Sequence, residues 1–374
     1  MRGNRFFKLI DKYIGMLLLF VLKTFNAIIP FQKFTKHDRN SFLVIKFSAL
    51  GDTLLLLPVL RKIKTEYPGA KITMVVTAVN AEAVSGSKLV DELLVFDPKK
   101  AMNPFYFFSF THRAAKAKPY FSIDFDQWLK VSPVISFFSG APRRIGFDTK
   151  AQGRAILYTD RISRQETKHE LEHFFDILRP FGFKINQDDK KLFFEISDEN
   201  KQAAFEEMKR MGLKKPFAVI HPGCGSHGFQ RQWPEERYAE VIKYIEAKGT
   251  NAALSIGPGE EKIADIIEKK LGRTVKRIKA KNLQVLAGVI KESSFFISGN
   301  TGIMHLAAAV GARVIALHGP TDAVKWGPYG DNVVIIKSPV KCSPCLDLGF
   351  EYGCKTRECM EKITVEEVVK ATRV

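Results

Sequence analysis

The sequence predicts an α/β protein made of two Rossmann-like domains facing a central cleft, and three observations predict it. Short apolar runs recur with the length and composition of buried strands, helical segments separate them, and two such series follow one another along the 374 residues. Strands of this kind alternating with helices form parallel sheets covered on both faces. A chain of this length is too long for one compact core and fits two domains of ordinary size. In such sheets ligands bind beyond the carboxyl ends of the strands, and every distinctive polar cluster of this chain follows a strand.

Residues 1–40 form a basic leader, with Arg2, Arg5, Lys8, Lys12, Lys23, Lys33, Lys36 and Arg39 set against Asp11 and Asp38. Residues 13–22 are uncharged and mostly apolar. No small-residue cleavage site follows them, so the segment does not read as a signal peptide. Lys23 interrupts the run, and Thr24, Asn26 and Pro30 follow, whereas a membrane span needs ~20 predominantly apolar residues. A basic amphipathic helix lying on the cytoplasmic face of the membrane is expected; the alternative is a helix packed on the protein's own surface.

An N-terminal domain is expected over residues 41–188. Residues 41–47 (SFLVIKF) read as its first buried strand. Gly51 and Asp52 open a helix that runs to about Tyr67, where Pro68 and Gly69 stop it. Strands follow at 72–76, 93–96 and 121–125, and the polar stretch 186–191 marks the boundary. The second domain, residues 189–374, repeats the alternation. Its expected strands are 217–220, 252–256, 295–298 and 314–317; its expected helices are 234–247, 260–271 and 304–310.

A net charge of +18 calls for an anionic partner. No zinc-finger, helix-turn-helix or RNP signature accompanies it, so nucleic acid is not expected. Four of the five cysteines cluster as C-x2-C-x8-C-x4-C at Cys342, Cys345, Cys354 and Cys359, a spacing compatible with structural zinc or with thiols that merely cap a loop. With a reducing compartment expected, disulfides are not. Residues 169–173 (HELEH) match the string of zinc metalloproteases. A second-helix glutamate about twenty residues on is also needed, but the nearest, Glu195, falls in a strand-like stretch, so the match reads as coincidence.

Four constellations carry chemistry. Residues 46–52 (KFSALGD) bring Lys46 and Ser48 to a strand end and Asp52 to a helix start, where a carboxylate either complements the helix dipole or accepts a proton from a substrate hydroxyl. Residues 221–226 (HPGCGS), followed by Arg231, give small residues whose amides can approach a phosphate and a cation to neutralise it. In residues 257–261 (GPGEE), Glu260 or Glu261 either accepts ribose hydroxyls or caps a helix. In residues 298–311 (SGNTGIMHLAAAVG), Thr301, Gly302 and His305 surround a helix N-terminus suited to phosphate.

Together with PRRIGFD at 142–148, RQWP at 231–234 and the C-terminal stretch CMEKITVEEVV, these segments resemble glycosyltransferase family 9, the lipopolysaccharide heptosyltransferases, from about Phe42 onward. The resemblance implies a GT-B fold, with the sugar-nucleotide donor in the C-terminal domain and the acceptor mainly in the N-terminal one. It implies a metal-independent, inverting transfer of a heptose or related sugar, with ADP-heptose the best-known donor, to an anionic lipopolysaccharide core acceptor, and no cofactor. Asp52 matches the presumed general base. Arg231 stands where the family usually has lysine at the donor diphosphate. Thr301, Gly302 and His305 match donor-phosphate residues, and Glu260 or Glu261 the ribose-binding acid. Asn300 stands where several relatives have aspartate, so that position orients the donor rather than moving protons. Lys46, Ser48, Arg143 and Arg144 are expected to meet the acceptor. The enzyme would be cytoplasmic and peripheral on the inner membrane face. A sugar-nucleotide epimerase on the same fold, or a non-catalytic carbohydrate-binding protein at the membrane, are the rival readings.

Overall fold

The computed structural model describes residues 5–28, 36–150, 152–165, 167–225, 228–346 and 354–374, with side chains of the first helix from Asp11 on. The chain forms two compact units, Met1–Lys190 and Lys191–Val374. The first contains α1 (Arg5–Ile28), β1 (Asp38–Ile45), α2 (Leu50–Glu66), β2 (Lys71–Val76), β3 (Glu92–Val95), α3 (Pro104–Lys116), β4 (Pro119–Asp124), α4 (Val131–Phe138), β5 (Arg143–Asp148), β6 (Asp160–Ser163) and α5 (Glu170–Asp176). The second contains α6 (Asp198–Arg210), β7 (Phe217–His221), α7 (Glu235–Ala247), β8 (Asn251–Ser255), α8 (Glu261–Leu271), β9 (Lys276–Ile278), α9 (Leu283–Lys291), β10 (Phe295–Gly299), α10 (Gly302–Ala309), β11 (Val314–His318), α11 (Ala323–Trp326), β12 (Val333–Lys337), α12 (Glu358–Glu361) and α13 (Val365–Thr372).

Each unit has one six-stranded sheet, ordered β3-β2-β1-β4-β5-β6 in the first and β9-β8-β7-β10-β11-β12 in the second. The two orders are the same when each unit is counted from its own first strand. All pairings are parallel. Strand order reverses between β1 and β4, and again between β7 and β10. These are the switch points at which adjacent loops diverge and leave a crevice. The central strands β1, β7, β10 and β11 are buried over most or all of their length, as strands with both faces covered must be. The predicted strands are all present, shifted by one to three residues at some ends. Strands β5, β6, β9 and β12 lie beyond what the pattern disclosed; β6 (DRIS) and β9 (KRI) are short and carry charges because each has a free edge.

Leu43, Ile45, Val75, Leu94 and Phe110 form one apolar core of the first unit. Beneath α4 lies a charged counterpart. Arg154 is fully buried and donates to the Asp124 carboxylate at 2.8 Å, to Ser132 Oγ at 2.6 Å and to the Asp126 carbonyl. Tyr158 donates to the same carboxylate at 2.5 Å. Burial raises the pKa of Asp124 while the Arg154 charge opposes the shift. A buried pair of this kind adds little over an apolar substitute, but losing one partner strands the other. Arg154→Ala should therefore cost about 3–5 kcal/mol of unfolding free energy, read as a lowered urea midpoint of the full chain.

The second unit is built on Ala218, Ile220, Tyr238, Val241, Ile297 and Ile315, with Trp233 fully buried and its indole N–H donating to the Ile363 carbonyl at 3.0 Å. His318, at the end of β11, is buried with Nδ1 3.1 Å from Thr321 Oγ1, and burial pushes its pKa down to about 4. The folded state thus refuses a proton that the unfolded chain takes up near pH 6.5. The contribution is intact above about pH 6.5 and is lost as pH falls towards about 4, by up to about 3 kcal/mol. Denaturant unfolding across that window should show stability falling with pH, and His318→Gln should flatten the fall.

Candidate functional site

In the first unit the chain leaves β1 at Lys46 and enters α2 at Leu50, beside the switch point. Several groups fix this loop. Asp126, from the loop after β4, accepts the Phe47 amide at 2.6 Å. Asn80, from the loop after β2, donates to the Lys46 carbonyl at 2.8 Å and to Thr53 Oγ1 at 2.8 Å. Thr77 donates its hydroxyl to the Phe47 carbonyl at 2.7 Å. Asp126, Asn80 and Thr77 were not singled out from the sequence; their signal was a polar residue just past a buried strand.

Asp52 sits in the first turn of α2, and its Oδ2 receives Lys46 Nζ at 3.0 Å. Lys46 is 2 % exposed and lies 5.4 Å from the centre of the Phe174 ring. Its charge also reaches Glu170, which is fully buried against Arg164 and Gln127 and whose pKa burial raises but these cations bring below the usual value. Lys46 therefore holds one carboxylate oxygen of Asp52 and leaves the other for a hydroxyl donor. Of the groups expected at the acceptor, Lys46 is thus the one the structure places in contact with Asp52. Ser48 lies in the same loop, half-buried.

Arg143 and Arg144 are not gathered with these residues. Arg143 pairs in register with Phe121, and Phe121 with Phe42, three residues before Ile45, so it lies ~10 Å back at the amino end of the sheet. Its guanidinium forms a two-pronged pair with Asp160, at 2.5 and 3.3 Å, and faces Phe121 and Phe181. Arg144 is buried and donates to the carbonyls of Leu157 and Ala141 at 2.8 and 2.9 Å. Both are structural. The HELEH string likewise forms no metal site. His169 is the N-cap of α5, its Nδ1 accepting the Leu171 amide at 3.1 Å, while His173 is buried with its pKa lowered to about 4 by burial. Glu195 lies outside any helix or strand.

In the second unit the loops after β7, β8 and β10 converge. Glu260 is buried, and its carboxylate accepts the Gly225 amide at 2.8 Å and the Gly257 amide at 2.9 Å. A side chain at Gly223 would collide with that carboxylate, so the glycine is required by the close approach. Glu260 thus ties two loops together, and Glu261, exposed at the start of α8, is the acid left facing solvent. His221 donates from Nδ1 to the Ser255 carbonyl at 2.9 Å and stays neutral, since burial lowers its pKa. Burial pushes the Cys224 thiol up to about 12, which makes it inert. Ser226, the last residue of the HPGCGS segment, lies outside the described residues, as do residues 1–4 and 29–35 of the leader.

Arg231 donates to the carbonyls of Asn300 and Cys224, each at 3.2 Å, and its Nε is buried with no partner. Among the described residues no carboxylate pairs with it. Its charge is therefore uncompensated at the β7–β10 switch point. Beside it, Asn300 donates to the Trp326 carbonyl at 3.1 Å, and Thr301 caps α10 by accepting the Met304 amide at 3.3 Å. The cap uses the third amide of the helix and leaves those of Gly302 and Ile303, at the positive end of the dipole, for an anion. His305 is buried one turn further in. A lone cation, two available amides and a helix N-terminus make a phosphate cradle.

The four clustered cysteines lie near one another, and Cys342, Cys345 and Cys354 add to the burial that raises the pKa of Cys359 to about 11. Cys342, Cys345 and Cys354 are exposed, Cys359 is buried, and among the described residues no group of three His, Cys, Asp or Glu side chains is placed to hold a metal.

This arrangement has close counterparts. The family model of glycosyltransferase family 9 (heptosyltransferase) matches residues 116–355. Lipopolysaccharide heptosyltransferase 3 of Escherichia coli is 24 % identical over 295 residues, covering 76 % of this chain and 85 % of its own. Among solved structures, a glycosyl transferase family 9 protein of Veillonella parvula superposes with a TM-score of 0.74 at 21 % identity, covering 91 % of this chain and 97 % of its own. The E. coli heptosyltransferase WaaC with ADP does so with a TM-score of 0.65 at 22 % identity, covering 88 % and 98 %. The fold is the α/β GT-B type, and the chain belongs to glycosyltransferase family 9, the heptosyltransferase family.

Proposed function

We propose that the protein is an inverting glycosyltransferase that moves a heptose from a nucleoside-diphosphate donor, ADP-heptose, to a lipopolysaccharide core acceptor at the inner membrane face. The observation that carries the reading is the uncompensated Arg231 beside the α10 N-terminus. A glycosyl donor's leaving group is a diphosphate whose charge grows as the sugar–oxygen bond breaks, and fixed cations and amides stabilise that charge best in the transition state. The donor identity is supported by the relatives, one of which has been solved with ADP.

The chemistry divides between the units. In the second, Arg231, Gly302 and Ile303 receive the diphosphate, His305 lines the helix beside it, Asn300 shapes the turn, and Glu261 or the Glu260-pinned loops meet the ribose. In the first, Asp52 takes the proton of the acceptor hydroxyl. The freed oxygen electron pair attacks the anomeric carbon from the face opposite the diphosphate. That carbon's bond to the phosphate oxygen breaks, the nucleoside diphosphate leaves with the electron pair, and the configuration inverts. Lys46 holds Asp52 aimed, and Ser48 lies where the acceptor enters. With the leaving charge met by protein groups, the reading calls for no metal or cofactor.

Asp52→Asn should lower kcat for heptose transfer by about 10²–10⁴-fold with ADP affinity unchanged. Turnover near that of the parent would remove Asp52 from the mechanism. Arg231→Ala should weaken ADP binding and lower kcat/KM by about 10²–10³-fold, measured by calorimetry and initial rates. Unchanged values would remove the diphosphate from its neighbourhood. Free sugar released from the donor without an acceptor would instead favour the epimerase reading.

A further inference from the structure

Helix α1 docks on the first unit by one face only. Leu19 and Leu22 are buried against Val134, Phe137 and Leu157, and Asp11 Oδ1 accepts the Lys130 amide at 2.8 Å. The opposite face is apolar and open: Tyr13 is 63 % exposed, Leu17 64 %, Phe20 62 %, Val21 52 % and Ile28 76 %. A surface helix normally turns a polar side outward, whereas this one is apolar on its outer as well as its inner side. The length and composition are still short of a span, since no described helix is apolar enough to cross a membrane.

A second element adds to this face. Phe107 and Phe138 pack on the same cluster as Leu19 and Leu22, and Phe108 meets the Phe138 ring at 6.2 Å, so α3 lies alongside α4 as α1 does. Asn103 caps α3, and from its first turns Phe105 is 89 % exposed and Phe108 60 %, with Met102 just before at 60 %. The same elements carry exposed cations: Lys12 and Lys23 on α1, Lys99 and Lys100 before α3, the latter 3.9 Å from Asp97, and Arg113 and Lys116 in its last turn.

We infer that α1 and the start of α3 form one composite surface that seats the first unit on a bilayer bearing anionic lipid, with Phe105 and Phe108 as a second point of insertion. Apolar tips on elements that also carry lysine and arginine fit acyl chains below and anionic headgroups beside them. An interface between protein copies would bury those cations against one another. The surface is also joined to the loop that carries Asp52. Asp11 binds Lys130, in the connection from β4 to α4, and Asp126 in that connection holds the Phe47 amide. The inference deepens the membrane-surface part of the proposed function and needs none of its donor chemistry.

The test is flotation of the full chain with phosphatidylcholine vesicles, with and without phosphatidylglycerol, in the absence of nucleotide. The parent should bind the anionic vesicles and release as salt is raised. Phe105→Ser with Phe108→Ser should lower partitioning by roughly tenfold or more, as should Leu17→Ser with Phe20→Ser, while Phe105→Leu with Phe108→Leu restores it. In Phe105→Trp, emission should shift to the blue on binding and be quenched by lipid brominated in its acyl chain. All these positions are exposed, and circular dichroism checks the fold. Serine variants of α3 that bind like the parent would overturn the composite surface. So would a parent that self-associates through this face and ignores vesicles. Vesicle binding without heptose transfer would sink the proposed function and leave this inference standing.

Discussion

A backbone amide that leaves the end of a buried parallel strand has lost its ladder partner and is still far from water. Something must accept it, and the acceptor chosen decides where the following loop points. In the first unit Asp126 does this for Phe47; in the second Glu260 does it for Gly225 and Gly257. Both carboxylates are buried, and both spend charge on main-chain amides: Asp126 just after β4 at the first switch point, Glu260 just after β8 beside the loop that leaves β7. The groups that face outward, Asp52 and Arg231, are held in place by this arrangement. Precise placement of reacting groups is worth as much to a transferase as their chemistry.

The charge economy of the two sites differs. Asp52 has a neutralising partner in Lys46, so its loop is electrostatically complete without substrate. Arg231 has carbonyls and, among the described residues, no carboxylate, so its corner is open to an anion. An internal ion pair suits a group whose partner is an uncharged hydroxyl. An open cation suits a group whose partner brings its own negative charge.

Much of this was legible in the residues. The alternation of apolar runs and helices disclosed the parallel sheets, because strands buried on both faces cannot be polar. The loops after the central strands were recognised for the same reason: glycine and polar side chains there interrupt an otherwise apolar pattern. What the pattern hid depends on direction and convergence. The charge of Arg143 and Arg144 suits an anionic acceptor, yet they begin β5 rather than end it, at the amino end of a parallel sheet. The tie that Glu260 makes was hidden because its two amide partners lie 35 residues and 3 residues away, a meeting no local window displays. The edge strands β6 and β9 were invisible because exposure removes the apolar signal that strands are recognised by.

The latch between Asp11 and Lys130 makes the leader more than an address. Lys130 is 3 % exposed, and burial raises the pKa of Asp11 against the pull of Lys130 and Arg154, so the first helix contributes a charge to the interior of the unit it precedes. The leader and the unit it precedes are therefore not separable modules here. Clipping the leader would uncover Val134, Phe137 and Leu157 and leave a buried ammonium without its counter-ion. Grafted onto another domain, the same helix would carry an acid with nothing to receive it. Shortened or chimeric versions of this protein should be designed with that acid and that ammonium treated as one inheritance.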